Sequence, residues 1–219
     1  MDLMNLSEEL KNGVSVVDGE RVKNISPLFR ISFPRIVEPE RYQDTGAPRF
    51  SVSAIFNPKD PDREALVDLK ARMLVLIGKV AAEAKLSLKA DGVNPVRVYP
   101  EGKTNTAGDL VDGYFPGCAA CTFSKHPKAG DAAVPCYGPD GQPISPNDVI
   151  PGYFGRVVYR VYKPKKFQKV ALALVSLQVV AKGEPFGAGS ADGSFDSVPG
   201  GDTVTGSGVG GVDDDFMEF

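Results

Sequence analysis

The sequence predicts a mainly β body that carries one long helix and ends in an acidic tail unable to hold a fold. Three observations predict it. Short segments of alternating apolar and polar residues recur between Gly- and Pro-rich connections, the pattern of half-buried strands. One stretch, opening near Asp60, spaces its apolar residues helically instead. After Gly183 the chain turns to Gly, Ser, Asp, Ala, Thr and Val with few large residues, too little apolar surface to offset chain entropy.

The 219 residues are 42% hydrophobic, which suits one domain with a sizeable core. The expected organisation is an N-terminal arm over 1–24, a body over 25–186, and a flexible linker with an acidic tail over 187–219. The first ten residues carry Asp2, Glu8 and Glu9 rather than a basic leader, and no apolar run nears the ~18 residues of a membrane span. A cytosolic protein is expected. The net charge of −3 hides a split: residues 1–183 hold all 25 Lys+Arg and 20 acidic residues (+5), and 184–219 hold 8 acidic residues and no base (−8). Such a split fits a body that binds something anionic with an acidic segment attached.

Residues 1–24 are polar with weak periodicity and read as an arm or short helix. In 28–36, Phe29, Ile31 and Phe33 face one way and Arg30 and Ser32 the other, with Pro34 ending the strand or placing it at an edge. A loop over 37–48 carries Arg41 and Tyr42, with Arg49 just after. Phe50, Val52, Ala54 and Phe56 then share one strand face, so these two strands read as a long-looped hairpin. Asp60 and Pro61 suit an N-cap and first helical position. Leu66, Leu69, Met73, Leu76, Ile77, Val80 and Ala84 form the apolar stripe of the helix, read as core. Residues 95–99 form a short strand with Arg97 and Tyr99 opposite Val96 and Val98. A Gly- and Asp-rich loop over 100–116 holds Tyr114 and Phe115, 118–125 is strand-like, and the Gly138–Gly141 sequence GPDG signals a turn.

The last hairpin, over 152–181, is the densest. Its first strand places Phe154, Arg156, Val158, Arg160 and Tyr162 on one face and Tyr153, Val157, Tyr159 and Val161 on a core face. Its tip adds Lys163, Lys165, Lys166, Phe167 and Lys169. Cations interleaved with aromatic rings suit a flexible polyanion with flat bases. A solvated strand with a lysine-blunted tip reads the same way locally. The pattern recurs, however, at Arg30 and Arg35, at Arg41, Tyr42 and Arg49, and at Arg97 and Tyr99.

Catalytic signals are weak. Cys118-x2-Cys121-x4-His126-x9-Cys136 has the opening of a zinc site, but the last spacing is wrong for a knuckle. On a strand, Cys118 and Cys121 would point to opposite faces. His126 is the sole histidine, no Gly-rich oxyanion turn accompanies it, and no phosphate-binding Gly motif is present. No enzyme activity, cofactor or metal is expected.

Basic and aromatic clusters in the hairpin loops of a β body suit an OB-fold-like Greek-key barrel, which binds oligonucleotides on one sheet face and with its first and fourth hairpin loops. Those loops would be 37–49 and 163–169. The C-terminal DDDFMEF, with Asp213, Asp214, Asp215, Phe216, Glu218 and Phe219, closes a Gly-rich linker. With IPGYFGR at 150–156, VYRVY at 158–162 and SLQVVAKG at 176–183, it makes the chain resemble phage single-stranded-DNA-binding proteins, in particular a family first described as a domain of unknown function that includes an Enterobacter-phage member. The resemblance spans about 25–219. It implies an OB-fold, sequence-tolerant binding of single-stranded DNA in replication or recombination, a tail that recruits replication or recombination proteins, and residence in the cytoplasm of the infected host. One departure stands out: the helix follows two strands, whereas a standard OB-fold places it after three. The DNA-binding candidates are Arg156, Arg160, Tyr162, Lys163, Lys165, Lys166, Phe167, Phe154, Tyr42, Arg41, Arg97 and Tyr99, and the acidic tail is the expected intramolecular competitor. A virion assembly protein with a docking tail, or a zinc-dependent nucleotide or nucleic-acid enzyme, are the alternatives.

Overall fold

Alternation governs most of the chain. In the computed structural model, which describes residues 13–18, 21–42, 45–57, 69, 72–128, 130 and 132–187, the alternating segments become β3 (Phe29–Tyr42), β4 (Thr45–Phe56), β6 (Cys118–Lys125), β9 (Phe154–Tyr162) and β10 (Ala171–Ala181). These five close on themselves. β3 pairs with β4, β4 with β6, β10 with β9 and β9 with β3, all antiparallel, and a parallel β6–β10 pairing completes the ring. The order and the single parallel seam are those of an OB-fold-like Greek-key barrel. β3 and β4 are therefore its first hairpin and β9 and β10 its last. The helix α1 (Met73–Glu83) lies between the second and third barrel strands, as its place in the sequence requires.

Shorter elements extend the sheet. β1 (Val14–Asp18) and β2 (Arg21–Ile25) form a hairpin on β9, where an arm or short helix was expected. The Val14, Val16 alternation there is too short to stand out beside its polar neighbours. β5 (Arg97–Tyr99) pairs with β6. β7 (Cys136–Tyr137) and β8 (Pro143–Ile144) flank the predicted turn at Gly138–Gly141, and β7 runs parallel to β10.

Inward residues of alternating strands fill the barrel. Phe29, Phe50, Val52, Phe56, Phe123, Val157 and Tyr159 are all buried in one cluster. Phe29 stacks on Phe123 at 6.1 Å between ring centroids and meets Phe56 edge-on at 5.9 Å, while Phe123 meets Tyr159 edge-on at 5.3 Å. Each such side chain contributes about 1.5–3 kcal/mol through burial. α1 seals the cluster with Met73, Ile77 and Ala81, joined by Leu69. Leu66 and the Asp60–Pro61 start of the expected helix lie outside the described residues. No helix among the described residues is long and apolar enough to cross a membrane.

β3 departs from simple alternation. Ser32 and Arg35 are three positions apart on β3, while their partners Ser53 and Ser51 are two apart. The extra residue makes a bulge that holds Pro34, where a strand tolerates proline. Phe33 is turned out of the core face to 48% exposure at φ 43°, and β3 continues to Tyr42 instead of ending.

Candidate nucleic-acid interface

The outer face of the β3–β4–β6 sheet has a covered half and an open half. In the covered half, residues 100–117 and 183–187 lie against Ile55, Cys118 and Ala120, adding Tyr114 and half-buried Tyr99, Val111 and Phe186. Arg30, expected to face solvent, is only 6% exposed. Its guanidinium sits between the Phe154 and Phe186 rings, at 4.7 and 4.8 Å from their centroids, and Nη2 donates to the Glu184 carbonyl at 2.8 Å. Phe186 fits because Gly113 has no Cβ to meet its ring. The Phe186 N–H donates to the Pro151 carbonyl at 2.9 Å, and the Gly187 N–H to the Asp112 carboxylate at 2.7 Å.

The open half is a shallow floor of small side chains. Register partners share a face across a sheet. Arg35 pairs with Ser51, Ser51 with Ser124, Ser124 with Ala173 and Ala173 with Arg160. This one cross-strand row visits all five barrel strands, starts and ends on arginine, and carries only Ser and Ala between. Four strand spacings of about 4.8 Å make it roughly 19 Å along the surface. Beside it, Ser53 Oγ and Thr122 Oγ1 lie 3.2 Å apart, and Ala171 pairs with Tyr162. Arg35 also bonds Glu40 at 2.7 Å, but a guanidinium has five donors, and one carboxylate does not exhaust them.

Each end of the floor has an exposed ring and cations. At the β9 end, Arg160 is exposed and Tyr162 is 41% exposed, and the tip beyond carries exposed Lys165, Lys166 and Phe167 and half-buried Lys163. Lys169 Nζ lies 5.1 Å from the Phe167 centroid. At the β3 end stands Phe33, with Lys103 Nζ 5.2 Å from its centroid and 4.7 Å from that of Tyr114. Burial holds the Tyr114 phenol above its usual range, against the hydrogen bonds to Ser32 and Ser53 that pull it down. The β3–β4 and β9–β10 tips approach the floor from the same edge. Lys125, at the end of β6, pairs with Phe50 just past Arg49, while Ser124 pairs with Ala173 just past the β9–β10 tip.

The structure sorts the residues singled out from the sequence. Arg160, Tyr162, Lys163, Lys165, Lys166 and Phe167 gather at one end of the floor. Arg41 is exposed near the β3–β4 tip, and the Tyr42 side chain lies outside the described residues, as do Asp213, Asp214, Asp215, Phe216, Glu218 and Phe219. The expectation for Phe154 needs correction, and Tyr99, Arg97 and Arg156 lie outside that cluster at the end of the floor. Phe154, expected beside Arg156 as a stacking ring, is 1% exposed beneath Arg30. Tyr99 packs edge-on against Tyr114 at 5.5 Å, and Arg97, though exposed, pairs with Ala120 in the covered half rather than on the floor. Arg156 is half-buried and tied into the framework: Nε donates to Gln178 Oε1 at 2.8 Å, and Gln178 Nε2 donates to the Gly138 carbonyl at 2.9 Å. Phe33 and Lys103, at the β3 end of the floor, were not among the sequence candidates. The visible signals were Pro34 inside a strand and the hydroxyls alternating as Ser51, Ser53 and Thr122, Ser124.

The cysteines sit in apolar surroundings. Cys118 belongs to the covered outer cluster, while Cys121 and Cys136 belong to the barrel core, so Cys118 and Cys121 do point to opposite faces. Burial pushes all three thiols up, Cys136 to about 11. His126 is exposed at the β3–β4 edge, its Nδ1 3.3 Å from the Pro48 carbonyl. No group of three or more His, Cys, Asp or Glu residues able to hold a metal occurs among the described residues.

No family model matches the sequence, and no curated protein matches it. Solved structures do match the fold. The C-terminally truncated single-stranded DNA-binding protein from bacteriophage Enc34 superposes with a TM-score of 0.57 at 17% identity, over 82% of this chain and 95% of that one. The same phage protein in complex with single-stranded DNA gives 0.56 at 16% identity, over 83% and 97%. A further structure of the single-stranded DNA-binding protein from bacteriophage Enc34 gives 0.55 at 18%, over 86% and 96%. The barrel, with its helix and appended hairpins, thus has the fold of a phage single-stranded-DNA-binding protein.

Proposed function

We propose that this protein binds single-stranded DNA without sequence preference, as a non-catalytic component of phage DNA replication or recombination in the cytoplasm of an infected host. The observation that carries the reading is the cross-strand row from Arg35 to Arg160, a floor of small side chains ended by cations and flanked by exposed rings. Small residues let a strand lie close to the sheet, cations displace counterions from phosphates, and rings stack on any base. Arg160, Lys163, Lys165, Lys166 and Arg41 serve the phosphates, and Tyr162 and Phe167 the bases. A neighbour of the same fold whose structure holds single-stranded DNA supports the reading.

The acidic segment over 213–219 acts as a tethered competitor. Its carboxylates and its Phe216 and Phe219 rings imitate a short anionic strand, and tethering makes the competition intramolecular. DNA displaces it and frees it for replication or recombination proteins.

A salt-series titration of oligo-dT against the intact chain and one lacking 187–219, with duplex DNA as competitor, tests both parts. Log affinity should fall linearly with log salt, at about −0.7 per phosphate neutralised. Deletion should tighten binding, most at low salt. Salt-insensitive or absent binding rejects the DNA reading, and equal affinities reject the competitor.

A further inference from the structure

The residue at the β3 end of the floor has a geometry that packing does not explain. Phe33 is a bulky residue at positive φ, a conformation that L side chains avoid and glycine adopts freely. A buried partner would account for it, but the ring is 48% exposed. The bulge spends a strained residue to lift an aromatic ring off the core face and out beside the Ser/Thr floor. Lys103 stands over one part of that ring, supported by Tyr114, whose phenol is anchored on Ser32 and Ser53. The backbone holds Lys103 in place from both sides, its N–H donating to the Tyr114 carbonyl at 3.1 Å and its carbonyl accepting from Val111 N–H at 2.7 Å. An exposed ring, a cation held beside it and an adjoining floor of small residues match a base, its phosphate and the continuing strand.

We infer that Phe33 and Lys103 form a nucleotide subsite of the single-stranded-DNA groove, Phe33 stacking on a base and Lys103 neutralising the adjoining phosphate. The inference rests on the DNA-binding reading and fixes the path of the strand. The DNA crosses the barrel strands from Phe33 and Arg35 at one end to Arg160 and Tyr162 at the other. The covered half beyond Tyr114 bounds it on one side.

The test compares the intact chain with Phe33→Ala, Phe33→Gly, Phe33→Tyr and Lys103→Ala, titrated with oligo-dT and with an abasic strand of equal length. Loss of one stacked base should weaken oligo-dT binding by roughly 5- to 150-fold in Phe33→Ala. Phe33→Tyr should stay near the unaltered protein, and on the abasic strand Phe33→Ala should match it. Lys103→Ala should reduce the salt slope by about 0.7, while Phe33→Ala leaves it unchanged. Phe33→Gly separates binding from folding: it relieves the backbone, so its melting temperature should hold or rise while affinity falls. Equal oligo-dT affinities for Phe33→Ala and the unaltered protein overturn the subsite and leave the DNA reading standing. So does a Phe33→Ala loss that persists on the abasic strand. Absence of binding by the unaltered protein overturns both.

Discussion

The two halves of the outer β3–β4–β6 face use similar chemistry to opposite ends. Both carry aromatic rings next to cations. In the covered half, Arg30 is clamped between Phe154 and Phe186, and Tyr99 is turned edge-on into Tyr114, so the rings and the cation satisfy one another. In the open half, Phe33, Tyr162 and Phe167 present ring surface to solvent, and only Ser, Thr and Ala lie between the two ends. What separates them is the covering chain. Residues 183–187 and the loop over 100–117 fill one half and stop short of the other. Under the proposed function the sheet face is divided between stability and binding, and substitutions in the two halves should separate those properties.

The largest effect is expected at Gly152. It sits at φ 96°, and a Cβ there would run into the backbone of Glu184, Pro185 and Phe186. Gly152→Ala should therefore lower the free energy of unfolding by about 3 kcal/mol or more, combining a disfavoured φ with displacement of the covering segment. Urea denaturation measures it. A loss under 1 kcal/mol would mean that residues 183–187 are not held by the contacts described. Phe186→Ala should cost about 2 kcal/mol, from lost burial and a lost ring over Arg30. Oligo-dT affinity measured well below the midpoint should stay within a factor of two. A large affinity loss in Phe186→Ala would put the covered half into the binding site and break the comparison.

The open half should behave in reverse. Ser124 lies mid-floor between Ser51 and Ala173. Ser124→Leu raises the floor by a branched side chain on a half-buried outward position and should change stability by no more than about 0.5 kcal/mol. It should weaken oligo-dT binding about tenfold, near 1.4 kcal/mol. Unchanged affinity would move the DNA path off the floor.

How much of this was legible follows the same division. Period-two alternation reports which residues face the core, so Phe50, Val52, Ala54, Phe56, Val157 and Tyr159 were placed correctly. It reports nothing about what covers the outward face. Phe154 and Arg30 do point outward, as alternation demands, yet they are buried because residues 183–187 return over them. That return links positions more than 150 residues apart, and no local pattern encodes it. Phe33 failed for the complementary reason: a one-residue bulge moves a side chain off its expected face, and only Pro34 hinted at it. The cluster at the β9–β10 end of the proposed site was legible because its cations and rings are consecutive in the chain. The β3 end was not, because Lys103 reaches Phe33 from a distant loop.

The cysteines report on cover and barrel separately, because one lies beneath the cover and two lie in the barrel. The thiolate is the form that attacks an alkylating reagent, and burial raises all three thiols, so each should react slowly at pH 8. Phe186→Ala should admit reagent to Cys118, in the covered cluster, raising its rate by about 30-fold if the cover opens about 2 kcal/mol more easily. Cys121 and Cys136 open only with the barrel and should accelerate less. Equal acceleration of all three would mean that cover and barrel unfold together. The same thiols set an alkaline limit. Cys136 is pushed from 9.0 to about 11, so above pH 9 the unfolded chain loses a proton that the folded chain keeps. Its contribution is full below pH 9 and declines towards pH 11 by about 1.4 kcal/mol per pH unit at most. Denaturation midpoints at pH 8 and 10.5 should show the fall, and Cys136→Ala should remove part of it. Cys118 and Cys121, with buried Tyr114 and Tyr159 whose phenols are also raised, should sustain the remainder.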